Sequence, residues 1–188
     1  MGSLAGQNQR HEVKMQVSKL LATSQLIYGS LDSVEVIDAD PKKGAFISPL
    51  LLMNEKPFAS NEAHEVEAFG PVSTIMPYKH MDEAIDLSKK GKGSLCSSIV
   101  TADNKKAKQY VLGAASHHGR ILVLNAACAK ESTGHGSPLP LLVHGGPGRA
   151  GGGEEMGGIR GVKHYMQRVA IQGSPTTITA ITNIYQPN

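Results

Sequence analysis

Several stretches of this chain hold residue types that could do chemistry. In the first, Gly146-Pro-Gly148-Arg-Ala-Gly151 fits G-x-G-x-x-G, a pattern that can cradle a dinucleotide pyrophosphate. That chemistry needs a strand before the glycines, a helix N-terminus facing the phosphates, and a carboxylate about 20 residues on. PLLVH (Pro140–His144) could be the strand. GGGEEMGG is a poor helix, because each interior glycine costs about 1 kcal/mol relative to alanine. The downstream stretch YMQRVAIQG has no carboxylate, and no G-K-[S/T] ending is present. The glycines are therefore read as a surface loop that needs positive φ or close backbone approach.

The others hold cysteines, histidines and a carboxylate at the edge of a turn. Cys96 and Cys128 lack metal-ligand spacing. Cys96 falls mid-strand, where a small buried hydrophobe is expected. Cys128 lies in a loop after a strand, a better place for a nucleophile. A reactive thiolate needs a base or positive dipole beside it, and only Lys130 is near. The histidines are scattered: His117 and His118 are adjacent and cannot share a helix face, and His64 has no ligating partner at helical spacing, so no metal is expected. In EVEAFGPVS (Glu65–Ser73) a short helix breaks at Gly70-Pro71, leaving Glu67 and Phe69 at the edge of a turn. From the residues alone, Glu67 reads as solvated and Phe69 as a core anchor.

These stretches must be positioned by regular elements. Val13, Val17, Leu20 and Leu21 recur at helical spacing and predict a helix over Asn8–Ser24. QLIYGS reads as a short strand and turn. AFISPLLLMN (Ala45–Asn54) reads as a buried strand, with Pro49 arguing for an edge or a bend. A short helix over Asn61–Gly70, with Asn61 as a possible cap, precedes the strand PVSTIMPYKH. Then come a helix over Met81–Lys90, a strand over Ser94–Ala102, a helix over Asp103–His117 capped by Asp103, and a buried strand over Gly119–Ala126. Strand, helix, strand, helix, strand from Met76 to Asn125 predicts an α/β fold with an open, largely parallel sheet and flanking helices. About 30 irregular residues follow, a length that suggests a functional loop. GIRGVKHYMQ suggests a short helix, and the Thr-rich RVAIQGSPTTITAIT an exposed terminal β-segment that needs a covering strand or subunit.

The totals exclude several classes. With 188 residues, 40% hydrophobic and 19% charged, the chain suits one globular domain or a piece of a larger one. A net charge of +3 and scarce aromatics argue against nucleic acid. No segment is apolar enough for a helical membrane span. Two cysteines without a framework make the reduced cytoplasm the default compartment.

Several segments, taken together and in order, carry a family resemblance. E-x-F-G-P-V at Glu67–Val72 resembles the conserved turn of the aldehyde dehydrogenase superfamily. MGSLAGQNQRHEV resembles its MGPL…Q loop and helix, and FISPLLL its strand before the turn. DEAIDLSKKGKGSLCSSIVTADNKKA, GRILVLNA and GGPGRAGGGEEMGGIRGVKHYM resemble three later segments of that family. The longer stretch from Asn125 to the glycines resembles the dehydrogenase half of the bifunctional phenylacetate-degradation proteins, where a hydratase-like domain follows.

The resemblance implies a catalytic-domain part over residues 1–165 and an oligomerisation β-segment over 166–188. It implies that Glu67 accepts from both hydroxyls of a nicotinamide ribose and that Phe69 packs near the ring of NADP or NAD. Cys128 and His135, in the loop Ala126–Pro138, would line the aldehyde tunnel. The glycine run would be a packing segment leading to the last helix and strand. In the family, the nucleophilic cysteine, the general base and the dinucleotide domain lie upstream of the MGPL loop, and neither cysteine here matches the nucleophile. The expectation is a fragment of an NAD(P)-linked dehydrogenase for a CoA-thioester semialdehyde, inactive alone and homo-oligomeric through its last strand. The alternative is a stand-alone module that assembles with a full-length partner by strand addition.

Overall fold

The computed structural model describes residues 2–131, 145–150, 166 and 168–187. These fall into two compact units, Met1–Pro77 and Tyr78–Asn188.

In the first unit, helix α1 (Gln7–Leu20) buries Val13, Val17 and Leu20, the stripe its spacing predicts. It lies on a three-stranded sheet of order β1-β2-β3. Strand β1 (Gln25–Tyr28) runs antiparallel to β2 (Leu50–Met53), and β2 runs parallel to β3 (Val72–Ile75). Val13, Val17, Ile47 and Leu50 form the core, with Leu26, Ala68 and Val72 packed against it. Pro49 does not put its strand at an edge: β2 is central, and the proline stands just before its first residue, where no ladder bond is lost. The helix expected over Asn61–Gly70 is only one turn, α2 (Glu62–Glu65). Asn61 precedes it without a side-chain cap bond, and Val66 is already extended (φ −91°, ψ 120°).

In the second unit, helix α3 (Met81–Lys89) leads to β4 (Ser94–Val100), then to α4 (Asn104–Ala114) and, through a 3-10 turn at Ala115–His117, to β5 (His118–Leu124). Asp103 caps α4 as expected, accepting from the backbone N–H of Lys105 at 2.8 Å and of Lys106 at 3.3 Å. Strand β6 (Ala170–Gln172) joins β5, giving an all-parallel sheet of order β4-β5-β6. Ile121 and Val123 of β5 pack with Ile85, Tyr110, Val111 and Ile181 in the core.

Two sequence expectations change. The alternation from Met76 to Asn125 divides between two sheets: β3 stops at Ile75 and bonds to β2, while β4 pairs with β5. The Thr-rich C-terminal segment is strand only at β6. Pro175–Thr182 form a helix, α5, with Thr177 and Ile181 buried. The Ser174 hydroxyl caps it by accepting from Thr177 N–H, and Pro175 stands at the first helical position, where its missing N–H costs nothing. These cap signals outweigh the strand preference of threonine. The helix expected over GIRGVKHYMQ lies, apart from Met166, outside the described residues.

Candidate functional site

Glu67 and Phe69 sit on the stretch between α2 and β3 of the first unit, which bends at Phe69 and Gly70. Val66 and Ala68 are half-buried, Ala68 against the core, and Glu67 and Phe69 are both exposed. Phe69 is 68% exposed, so it is not the core anchor that the residues alone suggested.

Helix α1 grips this stretch from its buried side. The Gln9 carboxamide donates from Nε2 to the Phe69 carbonyl oxygen at 2.8 Å, and its Oε1 accepts from Ala5 N–H at 2.9 Å. One turn later, Val13 lies so close to Gly70 that a β-carbon there would stand 2.8 Å from Val13 Cγ2. Glycine at position 70 is thus required by packing. Gln9 was not among the residues singled out from the sequence. The only local signal is its spacing of four from buried Val13, which puts both on one helix face.

Cys128 lies in the second unit, in the turn after β5. Its thiol is half-buried, with Sγ 3.5 Å from the Val123 carbonyl oxygen and 3.7 Å from that of Asn125. Lys130, the one nearby cation the sequence offered, is exposed. A thiol that donates to backbone carbonyls suits a wall residue better than a nucleophile. Cys128 lines a cleft of about 180 Å³ with Leu122, Glu131, Gln172 and Ser174. One edge of the cleft is fixed by polar bonds: Asn125 Nδ2 donates to Thr177 Oγ1 at 2.9 Å, and Ser174 Oγ donates to the same oxygen at 2.9 Å. His135 lies outside the described residues. Cys96 is exposed rather than buried, because β4 is the outer strand of its sheet.

The glycine run is described from Gly145 to Ala150. Gly148 has φ +57°, and a β-carbon on it would lie 1.9 Å from the Lys92 carbonyl oxygen. On the facing turn, Gly93 has φ +127°, and its β-carbon would meet the Pro147 carbonyl oxygen at 2.2 Å. Arg149 N–H closes the contact by donating to Lys92 O at 3.1 Å. Both glycines serve backbone-to-backbone packing, the use the sequence predicted for the loop.

Buried His118 opens β5. Among the described residues neither ring nitrogen finds a hydrogen-bond partner, and burial, with the charge of His117 second, lowers its pKa from 6.5 to about 4. Among the described residues, no group of three or more His, Cys, Asp or Glu side chains could hold a metal ion.

Comparison with known proteins places these features in a family. The aldehyde dehydrogenase family profile matches residues 1–171. Protein MaoC of Klebsiella aerogenes is 51% identical over 183 residues, which are 96% of this chain and 52% of that protein. The 3,4-dehydroadipyl-CoA semialdehyde dehydrogenase of Aromatoleum evansii is 35% identical over 147 residues, 78% of this chain and 28% of that protein. The chain thus spans about half the length of the first relative and little more than a quarter of the second. Among solved structures, betaine aldehyde dehydrogenase from Staphylococcus aureus with NAD+ superposes with a TM-score of 0.55 at 20% identity, over 65% of this chain and 23% of its own. Succinic semialdehyde dehydrogenase from Streptococcus pyogenes with NADP+ gives 0.52 at 19% identity, over 64% and 24%. At such identities the likeness concerns the fold. With the family profile covering nearly all of it, the chain belongs to the aldehyde dehydrogenase family.

Proposed function

We propose that this chain is the C-terminal part of the catalytic domain of an NAD(P)-dependent aldehyde dehydrogenase acting on a CoA-thioester semialdehyde. The observation that carries the reading is the pair Glu67 and Phe69, both exposed on the E-A-F-G-P turn. An ionised carboxylate accepts from two vicinal hydroxyls at once, which fits a ribose. An exposed phenyl ring beside it fits the edge of a flat heterocycle. When bound, NAD(P) supplies the hydride acceptor. The chain's own contribution is to hold that acceptor in place, which is positional catalysis. Cys128 would form part of the wall of the aldehyde passage. The substrate class rests on the name of the A. evansii relative. The thiolate nucleophile and the general base would come from a preceding half, so this chain alone would not oxidise aldehydes. Self-association would use β6, the outer strand of its sheet.

The test joins this chain, in cis or in trans, to the preceding half of a family member and follows NAD(P)H formation with a CoA-linked semialdehyde. Turnover is expected only in the joined protein. Glu67→Ala in that protein should raise the cofactor KM by at least about tenfold, since each hydrogen bond to a charged group contributes about 1.5 kcal/mol or more. Turnover by this chain alone, or an unchanged cofactor KM in Glu67→Ala, would overturn the proposal.

A further inference from the structure

We infer that Gln9 is a positioning residue for the cofactor-facing turn, acting through the Phe69 backbone. The inference rests on the reading of Glu67 and Phe69 as cofactor contacts. The turn needs such a device. Glu67 and Phe69 are both exposed, so neither side chain has a core to fix it, and where the pair points is set by the packing of Ala68 between them and by backbone contacts. Between one-turn α2 and β3, Gly70 N–H donates to Ala68 O at 2.7 Å and Val72 N–H to Gly70 O at 2.8 Å, while Pro71 O accepts from Leu50 N–H of β2 at 2.9 Å. The first two bonds shape the turn, and the third ties its far end to the sheet. Gln9 supplies a tie at Phe69 itself. Its donor end holds Phe69 O, and its acceptor end is anchored on Ala5 N–H. A carboxamide bonded at both ends has its last torsion fixed, so the donor is already aimed. Val13 sets the distance, because its contact with Gly70 stops the turn from approaching α1 more closely. Residues 9 and 13, one helical turn apart, therefore hold positions 69 and 70 in height and direction while the side chains at 67 and 69 stay free for a ligand.

The two ends of the carboxamide can be separated chemically. Gln9→Glu keeps an acceptor for Ala5 N–H but replaces the donor with a carboxylate that repels the Phe69 carbonyl. Gln9→Leu removes both ends at similar volume. Two readouts are required. The first is amide hydrogen exchange of residues 66–73 in this chain, with β5 as an internal control for folding. The second is cofactor affinity, by titration, in the joined protein with its preceding half. Gln9→Glu should raise exchange over 66–73 by about fivefold, the loss of one neutral hydrogen bond, with β5 unchanged. Cofactor affinity should fall several-fold with it, and Gln9→Leu should do the same. If Glu67→Ala weakens cofactor binding but Gln9→Glu changes neither readout, the positioning role is wrong and the cofactor site stands. Weakened binding with unchanged exchange would make Gln9 a direct ligand and overturn the inference. If Glu67→Ala leaves binding intact, it is the cofactor reading that fails, while the exchange result still decides the grip on the turn.

Discussion

The Asn125 side chain donates to the Thr177 hydroxyl at 2.9 Å, joining the turn after β5 to the first turn of α5. Thr177 is 2% exposed and also accepts from Ser174, which in turn caps the helix. Asn125 further accepts from Ala127 N–H at 3.0 Å. Asn125→Ala would leave buried hydroxyls and a backbone donor short of partners. Such a loss costs about 1–3 kcal/mol. A urea titration should show the midpoint falling accordingly, with the slope unchanged. A shift of only a few tenths would mean that water replaces the carboxamide.

His118 makes stability depend on pH with a defined sign. Its folded pKa is about 4 against 6.5 for the unfolded group, because burial disfavours the imidazolium. Above pH 6.5 both states hold neutral imidazole, and this residue contributes no slope. Between 6.5 and 4 the unfolded chain binds the extra proton, so stability falls as pH falls, by up to about 1.4 kcal/mol per pH unit. Below 4 both states are protonated and the loss levels off. Urea midpoints across this window, compared with those of His118→Leu, isolate the contribution. Equal slopes in the two proteins would contradict a desolvated ring.

How legible all this was depends on the range of the interactions. Asp103 announced its helix because a cap and its amides are neighbours, and Val13 and Val17 announced α1 by period alone. The division into two sheets was hidden, since whether β3 pairs with β2 or β4 is a nonlocal choice that no spacing encodes. The helix at Pro175 was misread for a different reason: Ser174-Pro175 is a start signal, but four threonines nearby read as strand. Gln9 could not be found from local pattern, because it meets Phe69 across 60 residues of sequence. Glu67 and Phe69 were visible as a turn motif, whereas their common exposure depends on which of positions 66–69 turn inward.

Gly148 provides a test of the glycine loop. A β-carbon at that position would sit 1.9 Å from Lys92 O, and the residue is held at φ +57°. Left-handed backbone alone costs a non-glycine residue about 1–3 kcal/mol, and here the obstacle is a carbonyl that cannot rotate away. Gly148→Ala should therefore destabilise the second unit by at least about 2 kcal/mol. Gly2→Ala is the control, because nothing lies within 4 Å of its β-carbon. If both variants unfold at the wild-type urea concentration, the loop does not pack against the Lys92–Gly93 turn.

Phe69 and Ile121 make a contrasting pair for one denaturation experiment. Both are large apolar residues, but Ile121 is fully buried in the second unit's core and Phe69 is 68% exposed. Truncating a buried isoleucine removes transfer energy and leaves a cavity, at about 2–5 kcal/mol. Truncating an exposed ring removes little of either, and a surface change typically stays within about 0.5 kcal/mol. Ile121→Ala should thus unfold at a clearly lower urea concentration, while Phe69→Ala unfolds with the parent chain. Phe69→Ala should nevertheless weaken the cofactor affinity of the joined protein, since the proposed function gives the exposed ring a contact with the nicotinamide. A large stability loss in Phe69→Ala would return this residue to the core and remove half of the proposed cofactor contact.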